Sequence, residues 1–155
     1  QQIQSALPEV ELYGLDLSGS YLKQASKYLS SRSGDLVQLT KGNAENMPYL
    51  SNSFQGLTCV FLFHELPRDA RQNVLNECFR LLEPGGTLVL ADSIQIEDSP
   101  KFTSIMENFH KIFHEPYYRD YIIDDINLRL DESGFTSITS ESHFMTKVWK
   151  TNKPA

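Results

Sequence analysis

The sequence predicts an α/β fold with a mainly parallel sheet, and three observations carry that expectation. Short apolar runs of strand length recur at residues 10–16, 57–63 and 87–92. Stretches with apolar side chains at helical spacing, residues 21–29 and 68–82, separate them. The tail, residues 136–141 and 146–151, has the β-branched and aromatic content of a hairpin. Near-continuous apolar strands alternating with amphipathic helices are the pattern of parallel strands joined by crossovers.

Taken in order, residues 10–16 read as a buried strand ending on Asp16. Ser18 can cap the next helix, where Leu22, Ala25 and Leu29 share a face, Lys23 and Lys27 take the other, and Gly34 is the stop. Residues 36–40 alternate and predict a second strand. Residues 42–56 have no helical period and predict a loop. The most hydrophobic run, 57–63, suits a central strand. In the helix at 68–82, Ala70, Val74, Cys78 and Leu81 face inward, with Arg71, Asn73 and Glu77 outward. Pro84-Gly85-Gly86 ends it before the strand at 87–92. Ser99-Pro100 predicts a helix start, followed by an apolar face of Phe102, Ile105, Met106, Phe109, Ile112 and Phe113. A last helix, about 124–133, closes at Gly134.

Composition excludes several classes. A content of 40% hydrophobic and 11% aromatic residues is enough for a core and argues against disorder. The chain has 155 residues with 14 Lys+Arg against 20 Asp+Glu, a formal charge of −6. It lacks the basic stripe of a phosphate-gripping nucleic-acid binder. No run reaches the roughly 18 apolar residues of a membrane span. Cys59 and Cys78 lie in apolar runs, which predicts packed thiols in a reducing cytoplasm rather than a disulfide scaffold.

In open α/β sheets ligands bind outside the carboxyl ends of the strands. Asp16 stands at such an end. It can accept from a ribose diol, or simply sit at a helix N-terminus where the dipole favours an acid. His64-Glu65 follows the 57–63 strand, where a histidine can act as a general base or shape the pocket. His110 and His114 are four apart near Glu107 and Glu115. Without H-E-x-x-H or a third ligand they predict residues flanking the substrate side, and no metal site. Phe109, Phe113, Tyr117, Tyr118 and Tyr121 read as core first and as a cover for an apolar substrate second.

Five segments occur in order: Leu15-Asp16-Leu17-Ser18, Gly42-Asn43-Ala44-Glu45-Asn46-Met47-Pro48, Ser53-Phe54, Phe63-His64-Glu65-Leu66-Pro67 and Leu81-Leu82-Glu83-Pro84-Gly85-Gly86. Together they resemble class I S-adenosylmethionine-dependent methyltransferases, in the ubiquinone/menaquinone-biosynthesis-like branch, over residues 10–92. The resemblance implies a Rossmann-like methyltransferase fold with a C-terminal antiparallel hairpin. It implies S-adenosylmethionine as cofactor and methyl transfer to a small, apolar or aromatic acceptor, with neither nucleic acid nor membrane as partner. Carried over, Asp16 binds the ribose hydroxyls, Leu17 packs on adenine, and Ala44 offers a backbone N–H to an adenine nitrogen. Val60 and Phe61 meet the methionine part. Asn43 stands where the family commonly has an aspartate, and its carbonyl can still accept from the adenine amino group. His64 and His110 fall on the substrate side.

The departure is an absence. Eight glycines include no G-x-G-x-G, so the chain opens, on this expectation, inside the helix after the family's glycine loop. Residues 1–7 would be its last turns and Pro8 its break. The first strand and first helix would be missing, on the order of 30 residues, leaving a single, N-terminally incomplete domain over 1–155. Two strand edges would then face an empty slot, to be filled by swapping or a second copy. Two other functions compete: a non-catalytic scaffold on a truncated methyltransferase fold, and a nicotinamide-dependent oxidoreductase. The Gly42-Asn43-Ala44-Glu45 segment and the terminal hairpin disfavour the oxidoreductase.

Overall fold

A computed structural model describes residues 3, 6–30 and 37–155, which fall into two compact units, 1–48 and 49–155. Among the described residues no helix is long and apolar enough to cross a membrane.

In the first unit β1 (Tyr13–Asp16) and β2 (Gln38–Lys41) pair in parallel, Tyr13 opposite Gln38 and Asp16 opposite Lys41. Parallel neighbours need a crossover, and α1 (Gly19–Ser30) supplies it. Leu22, Ala25 and Leu29 are half-buried on α1 while Lys23 and Lys27 are exposed, as the spacing predicts. The Ser18 hydroxyl accepts from the Tyr21 N–H at 3.4 Å, a long form of the expected cap. A Cβ on Gly14 would lie 2.8 Å from Leu39 Cδ2, so glycine lets the two strands close. Of the expected helix at 1–7, the bond from Leu7 N–H to Ile3 O at 2.8 Å is present. The stop at Gly34 and the strand start at Leu36 lie outside the described residues.

The second unit carries a four-stranded sheet in the order β3 (Phe54–Val60), β4 (Leu82–Ser93), β6 (Thr146–Asn152), β5 (Thr136–His143). β3 and β4 run parallel, and β6 and β5 form the antiparallel hairpin. β3 therefore ends this ladder, and the interior position expected of residues 57–63 goes to β4. Gln55, Thr58 and Val60 of β3 are exposed, whereas Leu82, Leu88, Leu90 and Asp92 of β4 are buried.

The crossover α2 (Arg68–Leu81) buries Ala70, Val74, Leu75, Cys78 and Leu81. It also buries Arg71 completely, against the expectation that Arg71 faces outward. The rest of the core is Trp149, Phe135, Ile94 and apolar residues of α3 (Thr103–Phe113), α4 (Tyr118–Tyr121) and α5 (Ile126–Glu132). Asp125 caps α5, accepting from Leu128 N–H at 3.0 Å, and Gly134 follows it at φ 93°, the left-handed conformation glycine adopts freely. On α3 only Met106 is buried; Ile105, Ile112 and Phe113 are exposed, so the expected broad apolar face is only partly covered in this unit.

Candidate active site

In the first unit, β1 and β2 bring two of the expected segments to one carboxyl end. Gly42 N–H donates to Asp16 O at 3.1 Å, so Asn43 and Ala44 leave the sheet beside Asp16 and Leu17. Asp16 Oδ1 accepts from Ser18 N–H at 2.7 Å, leaving its second oxygen outside that turn. Leu17 is 69% exposed, a large apolar side chain offered to whatever occupies the strand ends. Asn43 is exposed and its Oδ1 accepts from Glu45 N–H at 3.0 Å; a carbonyl oxygen keeps a second lone pair. Ala44 is half-buried.

In the second unit the corresponding end is that of β3 and β4. Val60 and Phe61 are exposed there, and Phe61 holds φ at 51° while its N–H donates to Ala91 O at 2.8 Å. A non-glycine residue in that region is strained, and such strain clusters at functional sites. Two residues on, a single 3-10 turn (Phe63–Glu65) presents His64.

His64 lies against Asp92, the last fully buried residue of β4. Asp92 Oδ1 is 2.6 Å from His64 Nδ1 and accepts from Ser93 N–H at 2.7 Å, and Oδ2 accepts from Phe63 N–H at 2.8 Å. The imidazole meets the rings of Phe61, Tyr118 and Tyr121 edge-on, at 6.4, 5.9 and 6.2 Å between centroids. Burial alone would lower the His64 pKa. The hydrogen bond to Asp92 and the charges of Asp92, Glu115 and Glu65 outweigh it and raise the pKa above the ordinary histidine value.

Glu65 and Glu115 each bring a carboxylate oxygen, and His64 a ring nitrogen, within 4.8 Å of one another. Among the described residues this is the one group with donors close enough to share a cation. Its spacing is loose for bonds of about 2.1 Å, and the pair of carboxylates also serves as counter-charge to an imidazolium.

His110 is not drawn into this cluster. It is half-buried on α3 with its Nδ1 enclosed and lacking a hydrogen-bond partner, and it shares neither bond nor ring contact with His64 among the described residues. His114 ends α3 exposed at φ 57°. The aromatic stripe divides: Tyr118 and Tyr121 are core, Phe109 stacks on Tyr118 at 4.4 Å, and Phe113 and Tyr117 are exposed. Burial pushes the Cys78 thiol up to about 12 and raises that of Cys59, which suits packing rather than nucleophilic chemistry.

Sequence reasoning missed Asp92, although the signal that singled out Asp16, an acid closing an apolar run, is present at 87–92 as well. Glu115 had no such signal; the chain reversal after α3 brings it to the site.

Residues 1–86 match the family described as a methyltransferase domain. The demethylmenaquinone methyltransferase of Lactiplantibacillus plantarum is 33% identical over 116 residues, covering 69% of this chain and 48% of that protein. That of Geobacillus kaustophilus is 36% identical over 88 residues, 57% of this chain and 37% of that protein. The chain thus spans about half the length of the curated relatives it matches, or less. Among solved structures, a putative methyltransferase from Bacillus halodurans aligns with TM-score 0.74 at 16% identity, over 94% of this chain and 84% of that one. Phosphoethanolamine N-methyltransferase 2 of Haemonchus contortus, in complex with S-adenosyl-L-methionine, aligns with TM-score 0.77 at 13% identity, over 99% and 45%.

Proposed function

The chain belongs to the methyltransferase-domain family, and from that premise we propose that it transfers the methyl group of S-adenosylmethionine to a small, apolar or aromatic acceptor. The observation that carries the reading is the juxtaposition of Asp16 and Leu17 with Asn43 and Ala44 at one strand end, inside the segment that matches the family.

The donor set fits the cofactor's chemistry. The free oxygen of Asp16 accepts from the ribose hydroxyls, and exposed Leu17 covers a face of the adenine. The second lone pair of Asn43 Oδ1 accepts from the adenine amino group, and the Ala44 N–H donates to a ring nitrogen. When bound, S-adenosylmethionine supplies a methyl group activated by its sulfonium charge. The chain's part is to hold the acceptor in line with that methyl and keep water out, effects that account for much of the rate of such displacements. The aromatic rings around His64 and the names of the relatives, which specify demethylmenaquinone, support a quinol-like acceptor.

Calorimetric titration with S-adenosylhomocysteine tests the cofactor half. Residues 1–155 carry no G-x-G-x-G, so a weak Kd is expected for the wild type. Asp16→Asn should weaken it about tenfold or more, since hydrogen bonds to a charged group contribute about 1.5–3 kcal/mol. Equal affinity in the variant removes Asp16 from the site, and absence of binding both here and in a chain that carries the family's glycine-rich loop removes the cofactor reading. Transfer of radiolabelled methyl to 1,4-naphthoquinol tests the acceptor class.

A further inference from the structure

We infer that the His64 imidazole, held by the Asp92 carboxylate, is the base that takes a proton from the acceptor, so that the acceptor carries a hydroxyl whose proton it must give up. The assignment rests on the methyl-transfer reading above and deepens it.

The tautomer follows from the hydrogen bonds. Asp92 is 0% exposed and its two oxygens already accept backbone N–H groups from Phe63 and Ser93. A carboxylate is an acceptor only. The 2.6 Å contact with His64 Nδ1 therefore has Nδ1–H as donor. In neutral His64 this leaves the Nε2 lone pair free, and no described group hydrogen-bonds to it. A buried acid fixing a histidine in one tautomer and stabilising its imidazolium is the arrangement by which imidazoles are made into general bases.

The ring cannot turn away easily. Arg71 Nε donates to Phe63 O at 3.0 Å and pins the turn that carries His64, while Phe61, Tyr118 and Tyr121 fence the imidazole on its sides. The side chain is 12% exposed, so the imidazole is largely shielded from water. The charged and titratable groups facing it are Asp92 from β4, Glu65 from its own turn, Glu115 from the segment before α4, and the hydroxyls of Tyr118 and Tyr121. Both hydroxyls are engaged at Ser93, Tyr118 with its Oγ at 2.7 Å and Tyr121 donating to its carbonyl at 2.6 Å. The three carboxylates all favour the imidazolium, the form His64 takes as the acceptor loses its proton.

In the step so defined the acceptor's O–H proton passes to Nε2. The electron pair left on oxygen, or conjugated from it onto a ring carbon, forms the new bond to methyl. The S–CH₃ bond breaks with its pair onto sulfur, turning the sulfonium into a neutral thioether. On carbon, the displaced ring proton restores the hydroxyl. Either way one proton is released, through His64, to solvent.

Two readouts test this, one independent of turnover. Long-range ¹H–¹⁵N spectra of the imidazoles in the protein alone should show neutral His64 protonated on Nδ1. Its midpoint should lie above that of an ordinary histidine, and lower in Asp92→Asn. A neutral form protonated on Nε2 overturns the assignment, and the wild-type spectrum decides this even where Asp92→Asn does not fold. With S-adenosylmethionine, 1,4-naphthoquinol and EDTA present, His64→Gln should lower kcat about 100-fold or more with KM and S-adenosylhomocysteine affinity unchanged. Wild-type kcat should rise with pH through the midpoint seen by NMR. Near-wild-type kcat in His64→Gln overturns the assignment. So does activity that EDTA abolishes and zinc restores, because Nε2 would then be a ligand. Absence of transfer by the wild type sinks the methyl-transfer reading and this one with it. Transfer accompanied by the wrong tautomer sinks only the base.

Discussion

At the scale of single residues, the His64–Asp92 pair ties stability to pH in a definite direction. The folded pKa of His64 lies above its unfolded value of about 6.5. The pair's contribution is then complete below that value and is lost as pH rises through the folded pKa. Denaturant unfolding of wild type and His64→Gln should therefore differ more at pH 5.5 than at pH 8.5; a gap that widens with pH would mean the folded pKa is depressed. His64 and Asp16 were legible in the sequence because each follows an apolar run, where strand ends are expected. Asp92 meets the same criterion, but within a long strand its burial depends on the Phe63 turn folding over it, which no local pattern encodes. Asn43 was legible as a position, yet its turn to Glu45 N–H is visible only in the fold.

At the scale of elements, one ion network joins α2 to the α4–α5 region within the second unit. Arg71 Nη1 donates to Asp120 and Asp124 at 2.9 and 2.7 Å, Nη2 to Tyr117 O at 3.2 Å, and Arg129 Nε donates to Asp124 at 2.6 Å. Burial would raise the Asp124 pKa, but the bonds from Arg129 and Arg71 outweigh it and hold the carboxyl below the usual value. Helical periodicity misplaces Arg71 because it assumes that a guanidinium seeks water. Here four acceptors replace water: two carboxylates and the carbonyls of Phe63 and Tyr117 meet the planar fork. Removing one partner of a buried pair costs about 3–5 kcal/mol. Asp124 keeps Arg129, so Arg71→Met should fall near the lower end, about 3 kcal/mol, measured as a drop in unfolding free energy. A cost under about 0.5 kcal/mol, the usual range for surface positions, would mean the network contributes little beyond its own desolvation. The elements themselves were read well where period and punctuation agree, as in α2 and the β5–β6 hairpin. β3 was legible as a strand from its apolar run, but its start at Phe54, within the expected loop, was not.

At the scale of the whole molecule, burial is unevenly distributed. Every fully enclosed apolar residue, from Phe63 to Trp149, belongs to the second unit, and none of the described residues of the first is buried. Local opening free energy tracks buried apolar contact more than the presence of hydrogen-bonded elements. β1 and β2 are paired as regularly as β3 and β4, yet four residues on each strand with half-exposed side chains cannot protect their amides in the same way. β4, bonded on both sides and lined by Leu88, Leu90 and Trp149, should open only with global unfolding. Native-state hydrogen exchange should therefore rank the amides of β4 and β6 slowest, α2 next, and β1, β2 and α1 fastest by several orders of magnitude. Adding S-adenosylhomocysteine should slow exchange at residues 14–17 and 42–44, since a ligand that binds only the closed form stabilises it in proportion to its saturation. Equal protection of β1 and β4 without ligand would mean that the first unit draws stability from contacts beyond its own. Slowing confined to residues outside 14–17 and 42–44 would move the cofactor away from Asp16.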